Sequence, residues 1–150
     1  MNIVLVYASN SGSTYICSKI IQECLESVRI IKAADALPED VLSADLVILG
    51  SPSWDIGGKE GQPHEYISIF LSKLTSQHIK DKKFALYGCG DRSYLRFCGA
   101  VDEMEKDVSS KGAILVTDSL KLDSFFFDMD KNTKLVKDWA VKLAKVPTLV

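Results

Sequence analysis

The sequence predicts an α/β protein: an open parallel sheet of five strands, covered by helices on both faces. Three observations predict it. Strand-like and helix-like segments alternate along the whole chain, as repeated βαβ units require. The strand-like segments are short continuous apolar runs, the pattern of strands buried on both faces. Each helical segment carries one apolar stripe at i, i+3, i+4 spacing, enough to cover a sheet and no more.

The first strand is read at Asn2–Ala8, around Ile3-Val4-Leu5-Val6-Tyr7. A helix follows over Ser13–Ser27, with Ile16, Cys17, Ile20, Ile21, Cys24 and Leu25 on one face. Arg29–Ala33 is a short second strand nearer an edge, Asp45–Leu49 a third and Phe84–Gly88 a fourth. Pro63 is placed to start a helix bearing Tyr66, Ile67, Phe70, Leu71 and Leu74, because proline suits the first helical turn. Cys98–Lys111 is a helix packed through Val101, Met104 and Val108, with Gly112 as its stop. Ala113–Leu122 is the last strand, and a final helix carries Leu135, Val136, Trp139, Ala140 and Leu143.

The 150 residues fit one domain spanning 1–150, which should bury roughly 70% of its unfolded surface. No apolar run approaches the roughly 18 residues of a membrane span, and with no basic n-region or small-residue cleavage site before the first strand, export is not expected. The four cysteines form no C-x-x-C pair and have only two histidines beside them, so neither a disulfide framework nor a zinc site is expected. A reducing cytoplasm fits them, with Cys17 and Cys24 read as small core residues. The net charge of −2 argues against general nucleic-acid binding, which needs a basic surface.

In an open parallel sheet, ligands lie beyond the carboxyl ends of the strands, where strand order reverses. Loops after the first, third and fourth strands should therefore converge. After the first comes Ser9-Asn10-Ser11-Gly12-Ser13-Thr14, hydroxyl-rich and opening a helix. A helix N-terminus offers unpaired N–H donors and partial positive charge, which suits one phosphate. The loop lacks the lysine of a nucleoside-triphosphate loop and the glycines of a dinucleotide loop. An ordinary capped βα turn remains open on these residues alone. The second loop runs from Gly50 through Pro52-Ser53-Trp54-Asp55-Ile56-Gly57 to Pro63, and the third over Cys89–Gly99, including Tyr94. Trp54 and Tyr94 could clamp a flat ring system, stacking being worth roughly 0.5–1.5 kcal/mol beyond area buried; alternatively Trp54 folds back as a loop anchor.

Those three stretches, above all Gly88-Cys89-Gly90-Asp91-Arg92-Ser93-Tyr94 through Phe97-Cys98-Gly99-Ala100-Val101, resemble the flavodoxins along the whole chain. The uninterrupted final strand resembles the short-chain branch. The resemblance implies the flavodoxin-like three-layer α/β/α sandwich with strand order 2-1-3-4-5. It implies a monomeric carrier of one non-covalent FMN, passing single electrons between redox partner proteins with no turnover of its own. Ser9, Asn10, Ser11, Gly12, Ser13 and Thr14 would hold the phosphate, and Pro52, Ser53 and Gly57 would belong to the flavin loop. Trp54 and Tyr94 would cover the two ring faces. Cys89 and Gly90 lead into the loop whose Asp91, Arg96 and Cys98 backbone would meet the pyrimidine edge. The Asp55–Ile56 peptide would lie near flavin N5.

A one-electron carrier must separate the cofactor's two potentials, and carboxylates near the ring oppose the second electron. One charge about 8 Å away at an effective dielectric near 20 is worth roughly 2 kcal/mol, or on the order of 90 mV. Asp55, Glu60 and Asp91 are the candidates, with solvated loop carboxylates as the bland alternative.

The chain departs from the family pattern at several positions. Ser13 stands where the family often has Asn, and Asp55 where many members have Gly, so a φ > 0 turn there would cost more. Lys59, Arg92 and Arg96 should offset part of the carboxylate field. Phe125-Phe126-Phe127 is unusual; at least two of the three are expected to pack against the sheet edge. His64 reads as a surface residue at a helix start, and His78 supports no functional claim. The alternative function is an FMN-dependent NAD(P)H:quinone reductase on the same fold. A phospho-receiver module would need an acidic cluster where Ala8-Ser9-Asn10-Ser11 stands.

Overall fold

A computed structural model describes residues 1–146. Its strands are β1 (Ile3–Tyr7), β2 (Val28–Lys32), β3 (Leu46–Ile56), β4 (Lys59–Pro63), β5 (Lys83–Gly90), β6 (Ile114–Leu115) and β7 (Leu120–Asp123). Its helices are α1 (Ser13–Cys24), α2 (Pro38–Leu42), α3 (Glu65–Lys73), α4 (Ser76–Ile79), α5 (Gly99–Ser110) and α6 (Met129–Ala144). The parallel order is β2-β1-β3-β5, with β6 and β7 both on the outer side of β5. This is the predicted order, with the fifth strand in two pieces.

Strand alternation divides the core between the two faces. Ile3, Leu5 and Tyr7 of β1 face Cys17 and Ile21 of α1 and Val136, Trp139 and Leu143 of α6. Val4 and Val6 face the opposite way, into a cluster with Phe70 of α3 and Val101, Met104 and Val108 of α5. Tyr87 is fully buried, and its hydroxyl pairs with Ser18 of α1. Gly50 makes room for that ring: a Cβ there would lie 2.1 Å from Tyr87 Cζ. The stop of α5 is as expected. Gly112 is left-handed, its N–H reaches Ser109 O and the Ala113 N–H reaches Val108 O, a complete Schellman closure.

Several expectations need correction. Among the described residues the sheet has seven strands, because β3 continues through the presumed loop as far as Ile56 and pairs antiparallel with β4, and because the last strand is divided into β6 and β7. Pro63 ends β4 instead of starting a helix, and His64 caps α3 by accepting the Tyr66 N–H on its ring. The short α2 and α4 bridge between strands at places where the sequence carries no long apolar stripe. Helix α1 stops at Cys24, which is exposed rather than in the core. Tyr66 and Leu135 also face outward. Only Phe125 of the phenylalanine triplet is buried; Phe127 is 92% exposed. A tight 3-10 turn at Phe125–Phe127 allows one of the three rings to point inward.

Candidate functional site at the carboxyl ends of β1, β3 and β5

After β1 the chain turns through Ser9–Gly12, and the Gly12 N–H donates to Ser9 Oγ at 3.2 Å. Gly12 is left-handed with φ 98° and caps α1 without any side-chain hydrogen bond. A glycine cap leaves the first-turn N–H groups of α1 without a protein oxygen on the cap to accept them. Thr14, in that first turn, is wholly buried, and its hydroxyl has no hydrogen-bond partner among the described residues. It lies beside the Cys89 thiol without hydrogen-bond geometry. Burying an unpaired hydroxyl costs about 1–3 kcal/mol, so an orphan here signals a missing acceptor. An anion is the acceptor that suits both a hydroxyl and a free helix terminus.

The second wall is the β3–β4 hairpin. Gly57 and Gly58 both have positive φ (62° and 80°), forming the two-residue turn that matches strand twist. Asp55 faces two residues, Glu60 and Gly61, in a bulge between the Trp54–Gln62 and Ile56–Lys59 pairs. Asp55 itself has no positive φ. The expected strain at Asp55 is therefore absent, because the left-handed geometry falls on the two glycines beyond it. Ser53 Oγ accepts the Ala100 N–H at 3.0 Å, tying the hairpin to the start of α5.

The third wall follows β5. The Asp91 carboxylate accepts the Ser93 N–H at 2.8 Å, and the Tyr94 N–H returns to Asp91 O at 3.1 Å. The Ser93 N–H and then its hydroxyl hold the Asp91 carboxyl below its ordinary pKa. Arg92 turns away from the crevice. Its guanidinium stacks 4.6 Å over Phe97 and pairs with Asp123 at 3.6 Å. Arg96 stays at the crevice, held by Glu103 at 3.1 Å and by the Glu60 carbonyl at 3.4 Å. Cys98 adopts a left-handed conformation, and burial raises its thiol to about 12. It contributes position, not a reactive thiolate.

Two adjoining hollows of about 350 and 340 Å³ open between these walls. The first is lined by Trp54, Asp55, Glu60, Asp91, Tyr94, Arg96 and Cys98. The second runs down to Asn10, Ser11 and Ser13, past Pro52, Cys89 and Phe125–Phe127. Ser53, Trp54, Gly90 and Asp91 border both, so together they form one elongated trough from the α1 terminus to Tyr94. Trp54 (39% exposed) and Tyr94 (56%) stand at its rim with their rings available. Ser9 and Gly12 support the loop from behind, where they line a separate hollow. Ile56 and Gly57 line neither part of the trough; they build the hairpin that carries Trp54. Glu60, Asp55 and Asp91 do gather as the charge argument requires, while Arg92 does not join them.

Sequence reasoning missed the part played by His64 and by Phe126. His64 reaches Asn10 of the first loop, with Nε2 at 3.0 Å from Asn10 Oδ1, across 54 residues of sequence. No local pattern signals such a contact. Phe126 lines the trough beside Asn10 and Trp54 only because Phe125 anchors the turn.

The flavodoxin family model matches residues 5–137. The flavodoxin of Nitratidesulfovibrio vulgaris is 36% identical over 127 residues, 81% of this chain and 84% of that one. The flavodoxin of Maridesulfovibrio salexigens is 31% identical over 125 residues, 80% and 84% of the two chains. Oxidised flavodoxin 2 from Bacillus cereus superposes with TM-score 0.83 at 27% identity, over 97% of this chain and 99% of its own. The Fusobacterium nucleatum flavodoxin bound to flavin mononucleotide has the same fold, with TM-score 0.80 at 18% identity, over 96% and 97%. A match running from within β1 into α6, through all three loops of the trough, makes this chain a member of the flavodoxin family.

Proposed function

We propose that the chain binds one FMN without a covalent bond and passes electrons singly between redox proteins. The observation that carries this reading is the buried, unpartnered Thr14 hydroxyl at the glycine-capped start of α1. That site fits a phosphate monoester, and the trough leading from it to Trp54 and Tyr94 fits a chain ending in a flat ring system. FMN supplies the one-electron chemistry when bound; the protein sets its electronics and its exposure. Thr14, Ser11, Ser13 and the Asn10 amide would grip the phosphate, with Ser9 bracing the loop from behind and Gly12 giving the backbone its close approach. Pro52, Ser53, Cys89 and Gly90 would form the trough floor. Trp54 and Tyr94 would flank the ring, and the backbone around Asp91, Arg96 and Cys98 would border its polar edge. Asp55, with Ile56 and Gly57 behind it in the hairpin, would stand at the remaining edge. The carboxylates of Asp55, Glu60 and Asp91 oppose a second negative charge on the ring, and Arg96 offsets part of that field.

Residues 1–150 would act as one cofactor domain, a monomer working in the cytoplasm; the four free cysteines support a reducing compartment. No helix among the described residues is long and apolar enough to cross a membrane. Flavin titration of the purified apo chain, followed by redox titration, tests the reading. One FMN per chain and two well-separated one-electron potentials are expected. Failure to bind FMN, or NADPH-driven quinone turnover by the chain alone, overturns it.

A further inference from the structure

Resting on the reading that Ser9–Thr14 grips a phosphate, we infer that His64 is a positioning residue for that phosphate: it orients the Asn10 amide. His64 Nδ1 accepts the Tyr66 N–H at 3.1 Å, closing the first turn of α3. A ring nitrogen that accepts a hydrogen bond carries no proton, so in the neutral ring the proton is on Nε2. Nε2 can then only donate, and its neighbour 3.0 Å away must present an acceptor. The Asn10 side chain therefore turns its carbonyl oxygen toward His64, and its NH2 group is left to face away.

Asn10 stands between the phosphate end of the trough and the hollow that His64 lines. With its oxygen held on the His64 side, it offers the phosphate two N–H donors and no repelling lone pairs. The ring itself is well fixed. The His64 backbone N–H donates to Ser51 Oγ at 2.9 Å, and the imidazole stacks on Tyr66 with centroids 5.4 Å apart. It also meets the Trp54 indole edge-on at 6.3 Å. A relay thus runs from the Tyr66 N–H through His64 to the Asn10 amide, and it links α3 to a loop 54 residues earlier.

His64→Asn separates the two ends of the relay. Its side-chain oxygen can replace Nδ1 as the helix cap, but it is too short to reach Asn10. FMN and riboflavin affinities are measured by fluorescence titration in the wild type, His64→Asn, Asn10→Ala and the double variant, with apo Tm as the check on folding. His64→Asn is expected to weaken FMN binding about tenfold, the scale of one hydrogen bond to a charged group. Riboflavin, which lacks the phosphate, is expected to bind unchanged, and the substitution should cost nothing further in the Asn10→Ala background. His64→Gln, whose amide nitrogen can reach Asn10, should restore most of the FMN affinity at the expense of the cap. Unchanged FMN affinity in His64→Asn overturns the proposal. So does an equal loss for riboflavin, which would place the effect at the ring through Trp54, or a loss that persists without the Asn10 amide. A wild-type chain that binds no FMN is a different result, and it removes the functional reading itself.

Discussion

Gly99 and Gly61 meet backbone to backbone: a Cβ on Gly99 would stand 2.6 Å from the Gly61 Cα and 3.0 Å from its carbonyl oxygen. This contact presses the bulged strand β4 onto the first turn of α5, with Ser53 Oγ capping the Ala100 N–H alongside it. Neither partner can yield as a flexible side chain would. Gly99→Ala should therefore cost about 1–3 kcal/mol of overpacking. It should also weaken FMN and riboflavin alike, because the displaced hairpin carries Trp54. Thermal unfolding and flavin titration would read both effects; a variant with unchanged Tm would count against the contact.

Thr14→Val should move stability and binding in opposite directions. Without FMN the variant loses an unpaired buried hydroxyl and keeps its shape, so its apo Tm should rise. FMN affinity should fall by roughly tenfold or more, since a hydrogen bond to a charged group is worth about 1.5–3 kcal/mol. A lower apo Tm would mean that the hydroxyl already has a partner in the empty protein.

Arg92 and Arg96 are four residues apart in a loop of the trough yet do different work. Arg92 is engaged by Asp123 and the Phe97 face, so Arg92→Glu should leave the more negative potential nearly unchanged. Arg96 lines the trough, so Arg96→Gln should lower that potential by a few tens of millivolts. Its pairing with Glu103 keeps the shift below the roughly 90 mV expected of a lone charge about 8 Å away. Redox titration of the two variants decides it, and equal shifts would contradict the geometry.

Asp55→Gly should not relieve strain, because Asp55 is already extended. It should instead loosen the hairpin by about 0.5–1 kcal/mol, the usual cost of glycine within a strand. Comparison of Tm with that of Gly57→Ala, which forces a side chain into φ 62°, would show two losses of different origin.

The Asp91 turn predicts a pH dependence. Its carboxyl pKa is depressed in the folded protein, first by the Ser93 N–H and then by its hydroxyl. A depressed acid stabilises fully above its unfolded pKa of about 3.9 and loses that contribution as pH falls through the folded value. The Tm gap between wild type and Asp91→Ala should be constant from about pH 8 to 5 and close below about pH 4. A gap that widens on acidification would reverse the assigned sign.

The strands and both core faces were legible in the sequence because burial on two faces leaves unmistakable apolar runs, as in Val47-Ile48-Leu49 and Phe84-Ala85-Leu86, while the strand order came from the family resemblance. The three loops of the trough were legible as unusual, and Trp54, Tyr94 and Gly90 line it, whereas Gly12 lies behind it and Gly57 turns the hairpin outside it. The β3–β4 hairpin was not. Lys59-Glu60-Gly61-Gln62 has no alternating pattern, since its bulge breaks the period, and only the Gly57-Gly58 pair marked the turn. Side-chain direction was equally hidden. Arg92 turns aside because of Asp123, and Arg96 stays because of Glu103, partners that no local spacing reveals.

The outer margin of the sheet has a bearing on handling. Pieces of two and four residues, β6 and β7, leave no long row of unpaired main-chain groups for a neighbouring molecule to zip onto. At the opposite margin β2 carries Lys32 and Arg29, the latter paired with Asp40 at 2.9 Å, and charged side chains on an edge strand discourage the same pairing. Concentrated stocks should consequently resist intermolecular strand addition without any covering segment.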